Sequence, residues 1–156
     1  MLDAIDLRIL AELQADCSLS NVELAKRVHL TPSPCLARVK ALERQGIITA
    51  YVALVDSRAI GLDLNVFISI SLTSQSKSAL ADFEQRIAQQ EEVMECYLMT
   101  GDSDYLIRVA VPNIQALERF IQDQLTSIPG IEKIRSSFAL KQVSYKTALP
   151  LARGQA

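Results

Sequence analysis

Tryptophan is absent from this chain of 156 residues, aromatic residues make up only 5%, and there are 3 Cys and a single His. An odd number of cysteines (Cys17, Cys35 and Cys96) without a C-x-x-C pair excludes a disulfide framework and a zinc knuckle. His29 stands alone, and no set of His, Cys or carboxylate residues has metal-ligand spacing. The 5 glycines form no nucleotide-binding loop, and no nucleophile lies in a pattern with a base, which argues against an enzyme and against a bound cofactor. No apolar run approaches the roughly 20 residues of a membrane helix. Met1-Leu2-Asp3 opens neither a basic n-region nor an apolar h-region, so the expected location is the cytoplasm. What is abundant is apolar residue content, 49%, which fits folded globular structure rather than disorder.

The net charge of −2 conceals blocks of opposite sign. Residues 26–44 hold Lys26, Arg27, Arg38, Lys40 and Arg44 against Glu43 alone, a net +4. Residues 63–132 hold four basic and eleven acidic side chains, a net −7. A polyanion responds to the local field of a patch, so the total does not exclude nucleic acid.

Periodicity divides the chain into two parts and predicts an α+β protein. In residues 1–60, Asp3 is placed to cap a helix carrying Ile5, Ile9, Leu10 and Leu13. Ser20 and Glu23 form a capping-box pattern before a second helix. Thr31-Pro32 opens a third, with Leu36, Val39 and Leu42 expected inward and Gly46 as its stop. Ile48, Ala50, Val52 and Leu54 then alternate as a strand would. Three such helices with a turn of about four residues outline a helix-turn-helix, and the strand makes it winged. Residues 63–147 repeat strand–helix–strand twice with a period near 40 residues, the ferredoxin-like βαββαβ pattern, with the last strand or strand pair over about 131–146. Residues 148–156 read as a loose tail, and the two domains meet near residues 56–63.

Two segments carry candidate chemistry. The third helix presents Ser33, Pro34, Arg38 and Lys40 as outward positions, with Arg44 near its end and Lys26 and Arg27 on the preceding helix. Residues early in a recognition helix approach base edges, and flanking cations neutralise phosphates. Arg38 leads, because a guanidinium binds guanine or phosphate bidentately. The hairpin Gly101-Asp102-Ser103-Asp104 combines backbone donors with carboxylates, as a zwitterionic amino acid requires, although an ordinary turn uses the same residues. Cys35, inside the third helix, adds a thiol whose oxidation would alter DNA contact.

The run Thr31-Pro32-Ser33-Pro34-Cys35-Leu36-Ala37-Arg38 through Gly46-Ile47-Ile48 closely resembles the helix-turn-helix of the Lrp/AsnC, or feast/famine, family. Leu2-Asp3-Ala4-Ile5-Asp6 through Ile9-Leu10 is similar to that family's "LDxxDxxIL" opening, and Gly101 to Leu106 to its G-D-x-D-[YF]-L loop. The resemblance spans about residues 2–147 and is strongest to the leucine-responsive branch. It implies a winged helix-turn-helix domain and a C-terminal ligand-binding sheet domain (RAM domain). It implies binding of double-stranded DNA at a roughly palindromic operator through Lys26, Arg27, Thr31, Ser33, Pro34, Cys35, Arg38, Lys40 and Arg44. It also implies a homodimer assembling into an octamer, with the sheets' Val/Ile/Leu faces buried between subunits. A small amino acid, Leu or Met, would bind between dimers at Gly101, Asp102, Ser103 and Asp104, flanked by Met99, Thr100 and Tyr105, with Ser136 on the facing strand. The alternatives are an ACT-like metabolite-binding subunit, against which the basic third helix argues, and a redox regulator acting through Cys35.

Overall fold

A computed structural model of the chain describes residues 2–151. The chain divides into two compact units, one holding residues up to Ala53 together with those from Val143 onward, the other Leu54–Gln142. The chain therefore crosses between units twice.

The first unit is built on α1 (Ala4–Ala15), α2 (Asn21–Arg27) and α3 (Pro32–Arg44). Each helix starts where the sequence supplies a start signal. Asp3 Oδ1 accepts from the Ile5 and Asp6 amides at 2.9 and 2.8 Å, and the Asp6 carboxylate accepts from the Asp3 amide at 3.1 Å. Ser20 Oγ accepts from the Glu23 amide at 3.2 Å, and the Glu23 carboxylate accepts from the Ser20 amide at 3.1 Å. Pro32 occupies the first turn of α3, while the Thr31 side chain makes no capping bond. Past the end of α3, Gly46 turns the chain with φ 69°. The turn before α3 uses a non-glycine residue for the same purpose, His29 at φ 59°. Asn21 Nδ2 donates to the Pro32 carbonyl at 2.8 Å and fixes the start of α3 against α2.

The core of this unit joins Ile9, Leu10, Leu24, Ala25, Val28, Cys35, Val39 and Leu42. Cys35 stands where Leu36 was expected, and Leu36 is 41% exposed. Positions 35, 39 and 42 return to the same side after two turns, whereas 36 lies well round the helix from 42. Apolar content pointed to the wrong neighbour. The strand expected from the alternation at 48–54 is also not formed: no strand is assigned there, and Val52, Leu54 and Val55 are exposed. A strand needs a partner for its amides and carbonyls, and alternation alone supplies none.

The second unit contains β1 (Leu64–Leu72), α4 (Lys77–Ile87), β2 (Val93–Leu98), β3 (Tyr105–Val111), α5 (Ile114–Arg119) and β4 (Ile131–Phe138). Ser76 and Asn113 cap α4 and α5. Beyond α5 the helix widens into a π segment over Phe120–Leu125, where the Thr126 amide donates to the Ile121 carbonyl at 2.9 Å. The four strands form one antiparallel sheet in the order β2-β3-β1-β4, as a ferredoxin-like fold requires. The last strand ends at Phe138, so the expected pairing does not continue to 146.

Val66, Ile68, Ile70 and Leu72 of β1 and Tyr105, Ile107 and Val109 of β3 pack with Phe83, Ile87, Leu117, Phe120 and Leu125. The Val/Ile/Leu face is thus covered by the chain's own helices, a correction to its assignment as a subunit interface. The uncovered face carries Phe67, Ser69, Tyr97, Leu106 and the Arg108–Glu95 ion pair at 2.9 Å. Among the described residues no helix is long and apolar enough to cross a membrane.

Three carboxylates of the helical unit sit well inside hydrogen-bonded caps and turns. Asp3 is held below its ordinary range by the Asp6 amide and then by Arg38, Asp16 by the Ser18 hydroxyl, and Glu23 by the Ser20 hydroxyl. A depressed folded-state value contributes stability above the unfolded value, and that stability is lost as pH falls through the folded one. The helical unit should therefore lose thermal stability as pH drops below about 4, and Asp3→Asn should flatten that dependence. Melting curves followed by circular dichroism between pH 3 and 6 check this.

Candidate functional site

The exposed stripe of α3 follows from its buried one. With Cys35, Val39 and Leu42 inward, Ser33, Ala37, Lys40 and Arg44 fall at i, i+4, i+7 and i+11 on the opposite side, and all four are exposed. Thr31 and Pro34 flank the start of this stripe and Lys26 is exposed on α2. Among the described residues Lys26, Lys40 and Arg44 form no ion pair. These charges are available to a polyanion.

Three of the residues expected to touch DNA are otherwise engaged. The Arg38 Nη1 atom donates to Asp3 Oδ2 at 2.6 Å and to Asp6 Oδ1 at 2.8 Å, and both carboxylates strengthen its cationic form. Arg38 pins α3 to the first turn of α1 instead of standing free, which corrects its place as the leading base-contacting side chain. Arg27 Nη1 is 3.0 Å from Glu12 Oε2 and ties α2 to α1. Cys35 is fully buried, and burial pushes its thiol pKa up. It neither reaches DNA nor offers the accessible thiolate that a redox switch requires. Sequence reasoning missed Leu36, the exposed apolar neighbour of the stripe; the helical phase of 35, 39 and 42 was the available signal.

In the second unit, β2 and β3 are joined by the loop 99–104. The Met99 amide donates to the Asp104 carbonyl at 2.8 Å, closing the loop, and the Asp104 amide donates to the Ile70 carbonyl at 2.9 Å. Asp104 Oδ2 accepts from the Leu72 amide at 2.7 Å, and Oδ1 from Gln75 Nε2 at 2.7 Å. Its carboxylate is therefore a brace between β3 and the end of β1, not a free acceptor. The tip differs. Thr100, Gly101 and Asp102 are exposed, Ser103 is half-buried, and Gly101 adopts φ 117°, a conformation that favours glycine. The amides of residues 100–103 make no hydrogen bond among the described residues. Met99 is 41% exposed beside them.

Tyr105 and Ser136 are not brought to this tip. Tyr105 is 1% exposed, its hydroxyl donates to Glu84 Oε1 at 2.7 Å, and its ring lies 4.5 Å from that of Phe83. It faces α4 and an open groove of about 330 Å³ that Glu84, Ile87, Cys96 and Leu98 also line. Burial and Glu84 both raise its phenol pKa, so it serves the core as a neutral donor. Ser136, in β4, pairs with Ile68 and is separated from the β2–β3 loop by β1. Both residues are corrections to the expected effector set within one chain. Among the described residues no cluster of three His, Cys, Asp or Glu side chains is placed to hold a metal.

The class so defined is a DNA-binding transcriptional regulator with a separate ligand-binding domain, and similarity to known proteins bears on it directly. Residues 2–49 match the winged helix-turn-helix DNA-binding family, and residues 65–149 match the Lrp/AsnC ligand binding domain. The chain is 44% identical over 150 residues to the Bkd operon transcriptional regulator of Pseudomonas aeruginosa, covering 96% of this chain and 98% of that one. It is 40% identical over 148 residues to the leucine-responsive regulatory protein of Escherichia coli K12, covering 95% and 90%. Among solved structures, a Neisseria meningitidis transcriptional regulator in complex with L-Met superposes with a TM-score of 0.92 at 40% identity, over 97% of this chain and 98% of that one. The chain belongs to the Lrp/AsnC family of transcriptional regulators, a family without enzymatic activity.

The two carboxylates of the loop should separate experimentally. Asp104→Ala leaves the Leu72 amide without its acceptor and should cost about 1–3 kcal/mol of stability. Asp102→Ala, at the exposed tip, should cost less than about 0.5 kcal/mol. Urea unfolding followed by fluorescence distinguishes them; equal costs would contradict the bracing role.

Proposed function

We propose that this regulator binds sequence-specifically to a roughly palindromic operator as a two-fold dimer, and that a small apolar amino acid tunes its assembly or DNA affinity in the cytoplasm. The observation that carries the effector half is the loop tip, four consecutive free amides (100–103) beside the exposed Asp102, held rigid by Asp104. Free amides suit a carboxylate and Asp102 suits an ammonium. Leu or Met is the expected side chain, supported by the relatives named for leucine and solved with L-Met. Such a tip is too open to enclose a ligand alone, so the site is completed between dimers, where Ser136 of a neighbouring subunit has its place. The uncovered sheet face of Phe67, Tyr97 and Leu106 is the surface a second copy would cover. Further association of dimers gives the octamer.

On the DNA side, Ser33, Pro34 and Leu36 approach base edges, with Leu36 suited to a thymine methyl. Lys26, Thr31, Lys40 and Arg44 contact phosphates, while Arg27 and Arg38 position the helices. An ACT-like subunit without DNA binding is set aside by the match of residues 2–49.

A thermal-shift screen of the full-length protein against the twenty amino acids tests the effector. Leu or Met at 100 times its Kd should stabilise the protein by about 2.7 kcal/mol, and Asp102→Ala should abolish the shift. An unmoved melting temperature with all twenty would sink the reading. For DNA, Lys40→Ala should lower the slope of log K against log salt by about 1 with melting unchanged.

A further inference from the structure

The C-terminal segment was expected to be a loose tail, yet its described part is seated on the helical unit. The Leu149 amide donates to Gln14 Oε1 at 2.6 Å, and Gln14 Nε2 donates to the Leu149 carbonyl at 3.2 Å. One side-chain amide thereby satisfies both backbone groups of one residue, in the manner of a strand partner. Two residues later, Leu151 packs against the cluster containing Ile9, Leu10, Val39 and Leu42. Residues 152–156 lie outside the described residues.

Connectivity gives this contact its meaning. The chain leaves the helical unit after Ala53, builds the sheet unit to Gln142 and returns at Val143. β4 ends at Phe138, and ten residues separate it from Leu149. Any displacement of the end of β4 is therefore transmitted along a short tether to α1. α1 is a helix of 12 residues, about 18 Å long. Its last turn carries Gln14; its first turn carries Asp3 and Asp6, which hold Arg38 of the recognition helix. The Leu151 side chain touches the same core that seats Val39 and Leu42 of α3.

We infer that residues 143–151 form a strap, a second covalent route by which the ligand-binding domain controls the orientation of the recognition helix through α1. The strap rests on two exposed hydrogen bonds and one partly buried leucine, the kind of contact that opens at low cost and so can be switched. Tethering keeps its local concentration high, so few contacts suffice to populate the seated state. An effector that shifts the end of β4 changes the fraction seated, and with it the affinity for DNA. The inference rests on the proposed amino-acid response but adds the route by which it travels.

Full-length variants test it. Leu149→Pro removes the amide that Gln14 accepts from, and Leu151→Ser removes the apolar seat. Leu149→Ala keeps both backbone groups and trims a side chain that is 73% exposed, so it is the control. In the double variant L149P/L151S, hydrogen exchange of the α1 amides should quicken at least five-fold relative to L149A. On a duplex selected by the wild-type protein from a random pool, the change in affinity caused by saturating L-Leu or L-Met should shrink at least three-fold. Thermal stabilisation by that amino acid should persist. Unchanged α1 exchange would overturn the strap, as would an intact affinity response. If neither amino acid stabilises the protein, the effector reading fails separately. The strap is then judged on ligand-free DNA affinity, where a difference of at least three-fold from L149A supports it and agreement within two-fold overturns it.

Discussion

One guanidinium nitrogen holds the DNA-binding unit in shape. Arg38 Nη1 bridges Asp3 and Asp6, so the residue that caps α1 also fixes the angle at which α3 crosses it. The arrangement stands at the surface, where ion pairs add little to global stability. Its effect is geometric: it decides which side of α3 faces outward. With α3 held in this way, Ser33, Ala37, Lys40 and Arg44 form one outward stripe, and the free cations are those with no carboxylate in reach.

The ligand-binding unit repeats the same division of labour. Asp104 is consumed in joining the Leu72 amide and Gln75, and its reward is a loop whose tip keeps four amides and Asp102 unspent. In both units, the charged residue most prominent in the motif works on the protein, and less prominent neighbours remain for the partner. Mutating the prominent residue therefore perturbs binding without identifying a contact.

Local signals in the sequence were legible wherever physics acts over a few residues. Asp3, Ser20, Ser76 and Asn113 start helices because their side chains reach amides two or three residues away. The two βαβ halves were legible from alternation in Val66 to Leu72 and from the helical spacing of Leu80, Phe83 and Ile87. Features that depend on distant partners were not. Cys35 displaced Leu36 from the core through a phase set by the His29 turn and α2 packing. Residues 48–54 have a strand's alternation and no ladder to join. Nothing near Arg38 or Asp104 in sequence reveals that Asp3, Asp6 or Leu72 occupies them, since these pairs are separated by 32 to 35 positions. The seating of Leu149 on Gln14, 135 positions away, was invisible for the same reason.

The central claim is that Arg38 shapes the recognition helix rather than neutralising a phosphate. The salt dependence of DNA binding by Arg38→Ala separates the two roles. A positioning role predicts weaker binding and a lower melting temperature, with the slope of log K against log salt unchanged from the wild-type protein. A slope reduced by about 1 with an unchanged melting temperature would contradict the account.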